Sequence, residues 1–195
     1  GFSAGGYTVL AALGAQREYS RTLDHCERHA KEDPYCRIIN RKRAARVTAY
    51  AKPTQRTYDG RLCAAVIADP FTSPFSDKAL LALPSAKLLF FRPEVENVLG
   101  AEFHVSRVVR LLKQRGDMPE PREIVVPKAN HFAFNAPMPE GGAQRSSKST
   151  SKRTSKRTSR VKSDPHGFDR AAFHDVMNST IVAFFKKALS DCAKN

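Results

Sequence analysis

"GFSAGGYTVLAALGA", residues 1–15, opens the chain with Gly1, Ser3 and Gly5 in register. G-x-S-x-G is the spacing of a nucleophile elbow, in which a strand turns sharply into a helix and leaves a serine at a strained apex. Small residues on either side of that serine avoid a clash, which makes Ser3 the candidate nucleophile. The backbone N–H of Ala4, next in the chain, then lies at a helix N-terminus where it can serve an oxyanion. Tyr7, Leu10 and Leu13 recur at helical spacing, and Gly14 supplies a stop. Three fixed positions are a weak motif, and a glycine-rich turn before a helix explains them equally well, so the rest of the chain has to decide.

Outward from this stretch, short apolar runs alternate with helical patterns. "LCAAVIADP" (Leu62 to Pro70) is bounded by Asp59-Gly60 and Pro70 and predicts a buried parallel strand. A helix-like stretch ends near Leu83, and "KLLFFRP" (Lys87 to Pro93) predicts a second strand. Phe103, Val105, Val108, Val109 and Leu112 predict a helix that stops at Gly116. "REIVVPKAN" predicts a third strand, with Pro127 placing it at an edge or ending it early. In "FDRAAFHDVMNSTIVAFFKKAL", Phe173, Val176, Met177, Thr180, Ile181, Phe184, Phe185 and Ala188 are expected to share one helix face, with Lys186 and Lys187 in the last turns. Strands alternating with helices imply a parallel α/β sheet whose working residues lie beyond the carboxyl ends of the strands.

The 195 residues, 41% of them hydrophobic, suffice for one domain with a core, and no run reaches membrane-spanning length. The net charge of +14 points towards nucleic acid until its location is considered. Eight basic residues and no acid lie between Arg145 and Lys162, which leaves +6 for the remainder. That tract holds the tandem repeat SKRT-SKRT. The chain therefore divides into 1–140, a basic insert at 141–163 expected to be disordered, and a C-terminal helix within 164–195. Residues 16–50, polar and basic, read as surface helices or as a cap over a pocket.

Of the four cysteines, Cys63 lies in an apolar run and reads as buried and inert, and Cys192 lies near a polar terminus. Cys26 and Cys36 flank Asp33-Pro34 and allow a short disulfide loop in an oxidising compartment. His25, Cys26, His29 and Cys36 superficially suggest a metal site, but their spacing matches no zinc pattern and no metal is expected.

A nucleophilic serine needs a base, and the base an orienting acid. Of the six histidines, only His131 directly follows a predicted strand, in "ANHFAFNAP". His104 and His174 fall within helical patterns, His25 and His29 in the polar segment, and His166 in a turn. Two carboxylates compete as the acid: Glu96 after the second strand and Asp69 at the end of the first, with Glu94 beside Pro93 as a weaker third. Both leading candidates give the chain order Ser, acid, His of α/β-hydrolases.

With these residues on the page, a family resemblance emerges. "GFSAGGYTVLAALGA", "DGRLCAAVIADP", "NHFAF", "GFDRAAFH" and "IVAFFKKAL" resemble bacterial predicted dienelactone hydrolases, serine α/β-hydrolases related to platelet-activating-factor acetylhydrolases. The resemblance covers nearly the whole chain except the basic insert, and "GFDRAAFH" is its most specific part. It implies Ser3 as nucleophile, His131 as base and an acid after "KLLFF", which is Glu96 where relatives carry aspartate; the acetylhydrolase branch implies Asp69 instead. Met138 and Lys162 stand where relatives carry cysteines, so the resemblance implies one disulfide lost and Cys26–Cys36 kept. It also implies an exported, periplasmic or secreted enzyme without cofactor. In this fold several strands and a second oxyanion donor precede the elbow, so the chain reads as the C-terminal portion of a hydrolase.

The leading expectation is a carboxylic ester hydrolase acting on a small ester or lipid, with Ser3, His131 and Glu96 (alternatively Asp69) as triad and Ala4 as oxyanion donor. The alternatives are an inactive truncated remnant and a basic module in which the 145–162 tract binds nucleic acid or anionic surfaces without sequence specificity.

Overall fold

A computed structural model describes residues 1–31, 33, 35, 36, 58–100, 103–137 and 164–192. The basic tract 145–162, the segment "RIINRKRAARV" (37–47), Met138 and Lys162 lie outside the described residues.

The three apolar runs form strands β1 (Ala64–Ala68), β2 (Lys87–Pro93) and β3 (Arg122–Val126), parallel and ordered β1-β2-β3. Ala64 sits opposite Lys87, and Leu89 opposite Arg122. Phe2 bridges Ala68 in the parallel sense, so the residues before Ser3 run beside the carboxyl end of β1. Strand alternation divides the side chains into two layers. Ala65, Ile67, Leu88 and Phe90 point to one face. There they pack with Leu10 and Leu13 of the helix α1 (Ala4–Ala12) region and with Val105, Val108 and Leu112 of a later helix. On the other face Ala68, Leu89, Phe91 and Val126 meet Ala133 and Phe134.

Among the described residues, further helices flank the sheet: α2 (Tyr19–Arg28), α3 (Asp77–Leu81), α4 (Val105–Lys113) and α5 (Arg170–Cys192). The stop after α1 is a Schellman turn. Ala15 N–H reaches the Leu10 carbonyl at 3.0 Å, Gly14 N–H reaches Ala11 at 2.9 Å, and Gly14 takes φ 100°. α3 opens on Ser76, whose hydroxyl accepts from Ala79 N–H at 3.3 Å.

The face expected of α5 is narrower in the structure. Phe173, Met177, Ile181 and Phe184 pack on the sheet and Ala188 is buried, but Val176 is 66% exposed. At 100° per residue the seated side chains centre near Met177, and Val176 falls roughly 100° to one side, outside the contact stripe.

Both cysteine pairs are joined. The expected Cys26–Cys36 loop is present, with Cα atoms 5.1 Å apart. The reading of Cys63 as an inert buried thiol is corrected: it is bonded to Cys192, Cα to Cα 6.2 Å, tying the residue before β1 to the last residue of α5. A separation of 129 residues hides such a pair from the sequence, because only the docking of α5 against β1 brings the two ends together. No helix among the described residues is long and apolar enough to cross a membrane.

Candidate active site

Ser3 caps α1 with φ 51° and ψ −115°, a conformation that costs a residue with a side chain on the order of 1–3 kcal/mol. Surrounding hydrogen bonds impose it. Ser3 N–H donates to Ala68 O at 3.0 Å and Ala68 N–H to Gly1 O at 2.8 Å. The Ser3 carbonyl accepts from both Tyr7 N–H (3.0 Å) and Phe71 N–H (3.1 Å). The expected need for small neighbours holds at Gly1, where a Cβ would lie 2.4 Å from Gly5 O. It does not hold at Gly5, whose added Cβ meets nothing within 4 Å. The crowded position is Gly6, where a Cβ would come within 2.8 Å of Pro70 Cβ. The pattern that matters for packing is thus the second glycine of "GG", which lets α1 rest on the turn after β1. Ala4 is the first residue of α1, so no intrahelical carbonyl can accept its N–H.

His131 begins a 3-10 turn (His131–Phe134) just past β3. Asn130 caps this turn by accepting from Phe132 N–H at 3.0 Å, and His174 of α5 holds it by donating from Nε2 to Ala133 O at 3.0 Å. The ring is 4% exposed and packs against Phe2 and Phe132, centroids 4.9 and 5.3 Å away. Its Nε2 lies 3.1 Å from Ser3 Oγ and its Nδ1 lies 2.6 Å from Asp69 Oδ2. With Nδ1–H donating to the carboxylate, Nε2 is the acceptor facing the serine hydroxyl. Burial holds the ring below the ordinary imidazole value while the Glu96 charge pulls the other way, so His131 is neutral and basic at neutral pH.

The carboxylate hydrogen-bonded to His131 is therefore Asp69, where the sequence reading preferred Glu96. Asp69 is fully buried with φ 37°, its N–H bound to Phe91 O at 2.9 Å, so the chain kinks at the end of β1 and turns the carboxyl towards the histidine. Glu96 lies one layer further out. Its Oε1 accepts from Val98 N–H (2.6 Å) and Leu99 N–H (2.8 Å), and its carboxyl lies against Asp69. The third candidate, Glu94, latches two loops together by accepting from Lys128 N–H at 2.7 Å. Burial raises the Asp69 carboxyl to about 6, against the pull of the Glu96 hydrogen bond and the Arg92 charge, and burial together with the neighbouring Asp69 raises Glu96 to about 7.

The other histidines lie elsewhere. His25 is buried, 2.8 Å from Asp33 and stacked on His29, and His104 caps α4 beside Ser106. The superficial metal cluster fails on chemistry: Cys26 and Cys36 form a disulfide and have no thiolate to give. A cavity of about 1040 Å³ borders Glu96 rather than Ser3, with Arg21, Lys78, Arg107 and Arg110 beside Asp77 in its wall.

What sequence reading missed is the relation between the two acids, together with the capping role of Asn130 and the supporting roles of Glu94 and His174. Asn130 alone carried a signal, as a capping residue before "HFAF". Comparison of the chain with protein-family models, with curated proteins and with solved structures gave no match.

Proposed function

We propose that the chain is a serine carboxylic ester hydrolase of the α/β-hydrolase superfamily, similar to the dienelactone-hydrolase-like enzymes, with Ser3 as nucleophile, His131 as general base and Asp69 as acid. One observation carries the reading: a serine in strained backbone between a parallel bridge and a helix, linked at 3.1 Å to a buried histidine that is itself linked at 2.6 Å to a buried aspartate. The chain order Ser3, Asp69, His131 and the parallel sheet support it.

In this reaction Ser3 Oγ attacks the ester carbonyl carbon as His131 Nε2 takes its proton. Ala4 N–H and the N-terminal end of α1 face the developing oxyanion. Collapse of the tetrahedral intermediate breaks the carbon–oxygen bond to the alcohol, which leaves with the proton from Nε2. Water, deprotonated by the same nitrogen, then attacks the acyl-enzyme, the acid departs and Ser3 regains its proton. Asp69 holds the tautomer and balances the imidazolium. The substrate class is a small ester or lipid, and no cofactor takes part. Four cysteines in two disulfides support a periplasmic or secreted setting.

Hydrolysis of p-nitrophenyl acetate and butyrate by the chain, by Ser3→Ala and by His131→Ala tests the proposal. Turnover abolished in both variants is expected. Turnover that survives Ser3→Ala, or none in the parent chain, overturns it.

A further inference from the structure

We propose that Glu96 is a positioning residue for Asp69: in its protonated form it donates from Oε2 to Asp69 Oδ1, so that the two carboxyl groups hold one proton between them and Asp69 stays aimed at His131. The inference rests on the triad reading for its catalytic consequence, though the proton-sharing pair stands on its own geometry.

The hydrogen-bond ledger of the two side chains leads there by elimination. Asp69, Glu96 and His131 each bring one carboxyl oxygen or ring nitrogen within 4.8 Å of the others. Asp69 Oδ2 is taken by His131 Nδ1–H, and Glu96 Oε1 is taken by two backbone N–H groups. That leaves Asp69 Oδ1 and Glu96 Oε2, both buried and, among the described residues, with no other partner. Two ionised oxygens cannot face each other there, because neither has a donor and like charges in a buried site repel. One proton between them satisfies both. Its place follows from the pattern of acceptors. Asp69 accepts from the His131 ring and feels the Arg92 charge, both of which favour its ionised form, whereas Glu96 Oε1 accepts from backbone N–H groups as a carbonyl oxygen also does, which leaves Oε2 as the hydroxyl. The ordering of the two groups agrees, since Glu96 holds its proton to about pH 7 and Asp69 only to about pH 6.

Among the described residues, the charged and titratable groups around the pair are the following. His131 faces it from the 3-10 turn, Arg92 acts on Asp69 from β2, and His104 lies near Glu96 at the start of α4. Beyond Glu96, the cavity carries Arg21, Lys78, Arg107 and Arg110 with Asp77, and through it the Glu96 proton can exchange with water. Between about pH 6 and pH 7 the pair bears a single negative charge. Above that range the second charge appears, Asp69 loses the bond that fixes Oδ1, and His131 becomes more basic.

The test has a readout independent of turnover. In the Ser3→Ala background, infrared difference spectra should show a protonated carboxyl C=O band at pH 6 that titrates away near pH 7 and is missing from Ser3→Ala/Glu96→Gln. With active protein, Glu96→Gln keeps a donor but has no proton to lose. It should keep kcat at pH 6 and lose the inflection near pH 7 in kcat/KM. Glu96→Leu, which removes the donor, should lower kcat roughly 10-fold with KM unchanged. A band that is absent, or that survives Glu96→Gln, overturns the shared proton. Equal kinetics for the Gln and Leu variants overturns the positioning role. A titrating band in a chain that hydrolyses no ester upholds the pair and removes the triad reading alone.

Discussion

The turns that leave the carboxyl ends of β1 and β2 carry, respectively, a buried and a half-buried acid near the same histidine, yet they are built differently. After β1, a kinked Asp69 at φ 37° spends one oxygen on His131 and is pressed against α1 through Gly6 and Pro70. After β2, Glu96 is wrapped by its own loop, with Val98 and Leu99 N–H groups holding one oxygen. The first geometry exports a charge to a neighbour. The second keeps a carboxyl still and lets it carry a proton. Position at a strand end therefore nominates an acid, and the local backbone decides what it does.

The largest effect that would sharpen this contrast is catalytic. Asp69→Asn should reduce kcat by about 10³- to 10⁴-fold, because the amide favours the wrong imidazole tautomer, whereas Glu96→Gln should leave kcat at pH 6 nearly intact. Steady-state ester hydrolysis measures both, and a reversal of the two results breaks the comparison.

Two glycine variants come next. Gly6→Ala drives a methyl group against Pro70, so denaturant unfolding should show a loss of about 2 kcal/mol and kcat should fall as the Asp69 turn shifts. Gly5→Ala, with open space around the new methyl, should gain up to about 1 kcal/mol from helix propensity. Equal effects at the two positions would mean that α1 does not brace the turn.

A pH dependence of stability separates the acids further. Burial raises the Glu96 carboxyl in the folded state to about 7, above its ordinary value of 4.5. The folded chain therefore keeps a proton that the unfolded chain has lost, and stability falls as pH rises through that window. Between pH 5 and pH 8 the parent should lose about 2 kcal/mol relative to Glu96→Gln, read from denaturation midpoints. The smallest effect belongs to Glu94→Gln, where an exposed latch to Lys128 N–H weakens. We expect a loss of less than about 1 kcal/mol and a change in kcat of a few fold.

Much of this arrangement was legible in the sequence. Apolar runs bounded by Pro and Gly marked all three strands, helical spacing marked α1, α4 and α5, and the place of His131 just past a strand set it apart from five other histidines. The choice between Asp69 and Glu96 was not legible, since it turns on a positive φ and on which backbone N–H groups occupy which oxygen. Nor was the Cys63–Cys192 bond, because only the seating of α5 on the sheet brings those ends together. Val176 misled for a related reason: an apolar residue joins a helix face only when the partner surface is wide enough to reach it.

The most direct measurement is the rate at which a fluorophosphonate probe labels the chain, read by intact mass and peptide mapping, with Ser3→Ala, His131→Ala and Asp69→Asn alongside. The account requires one adduct on Ser3, none in Ser3→Ala, and labelling slowed by orders of magnitude in the other two. An adduct on a different residue, or labelling of Ser3 indifferent to His131 and Asp69, would contradict it.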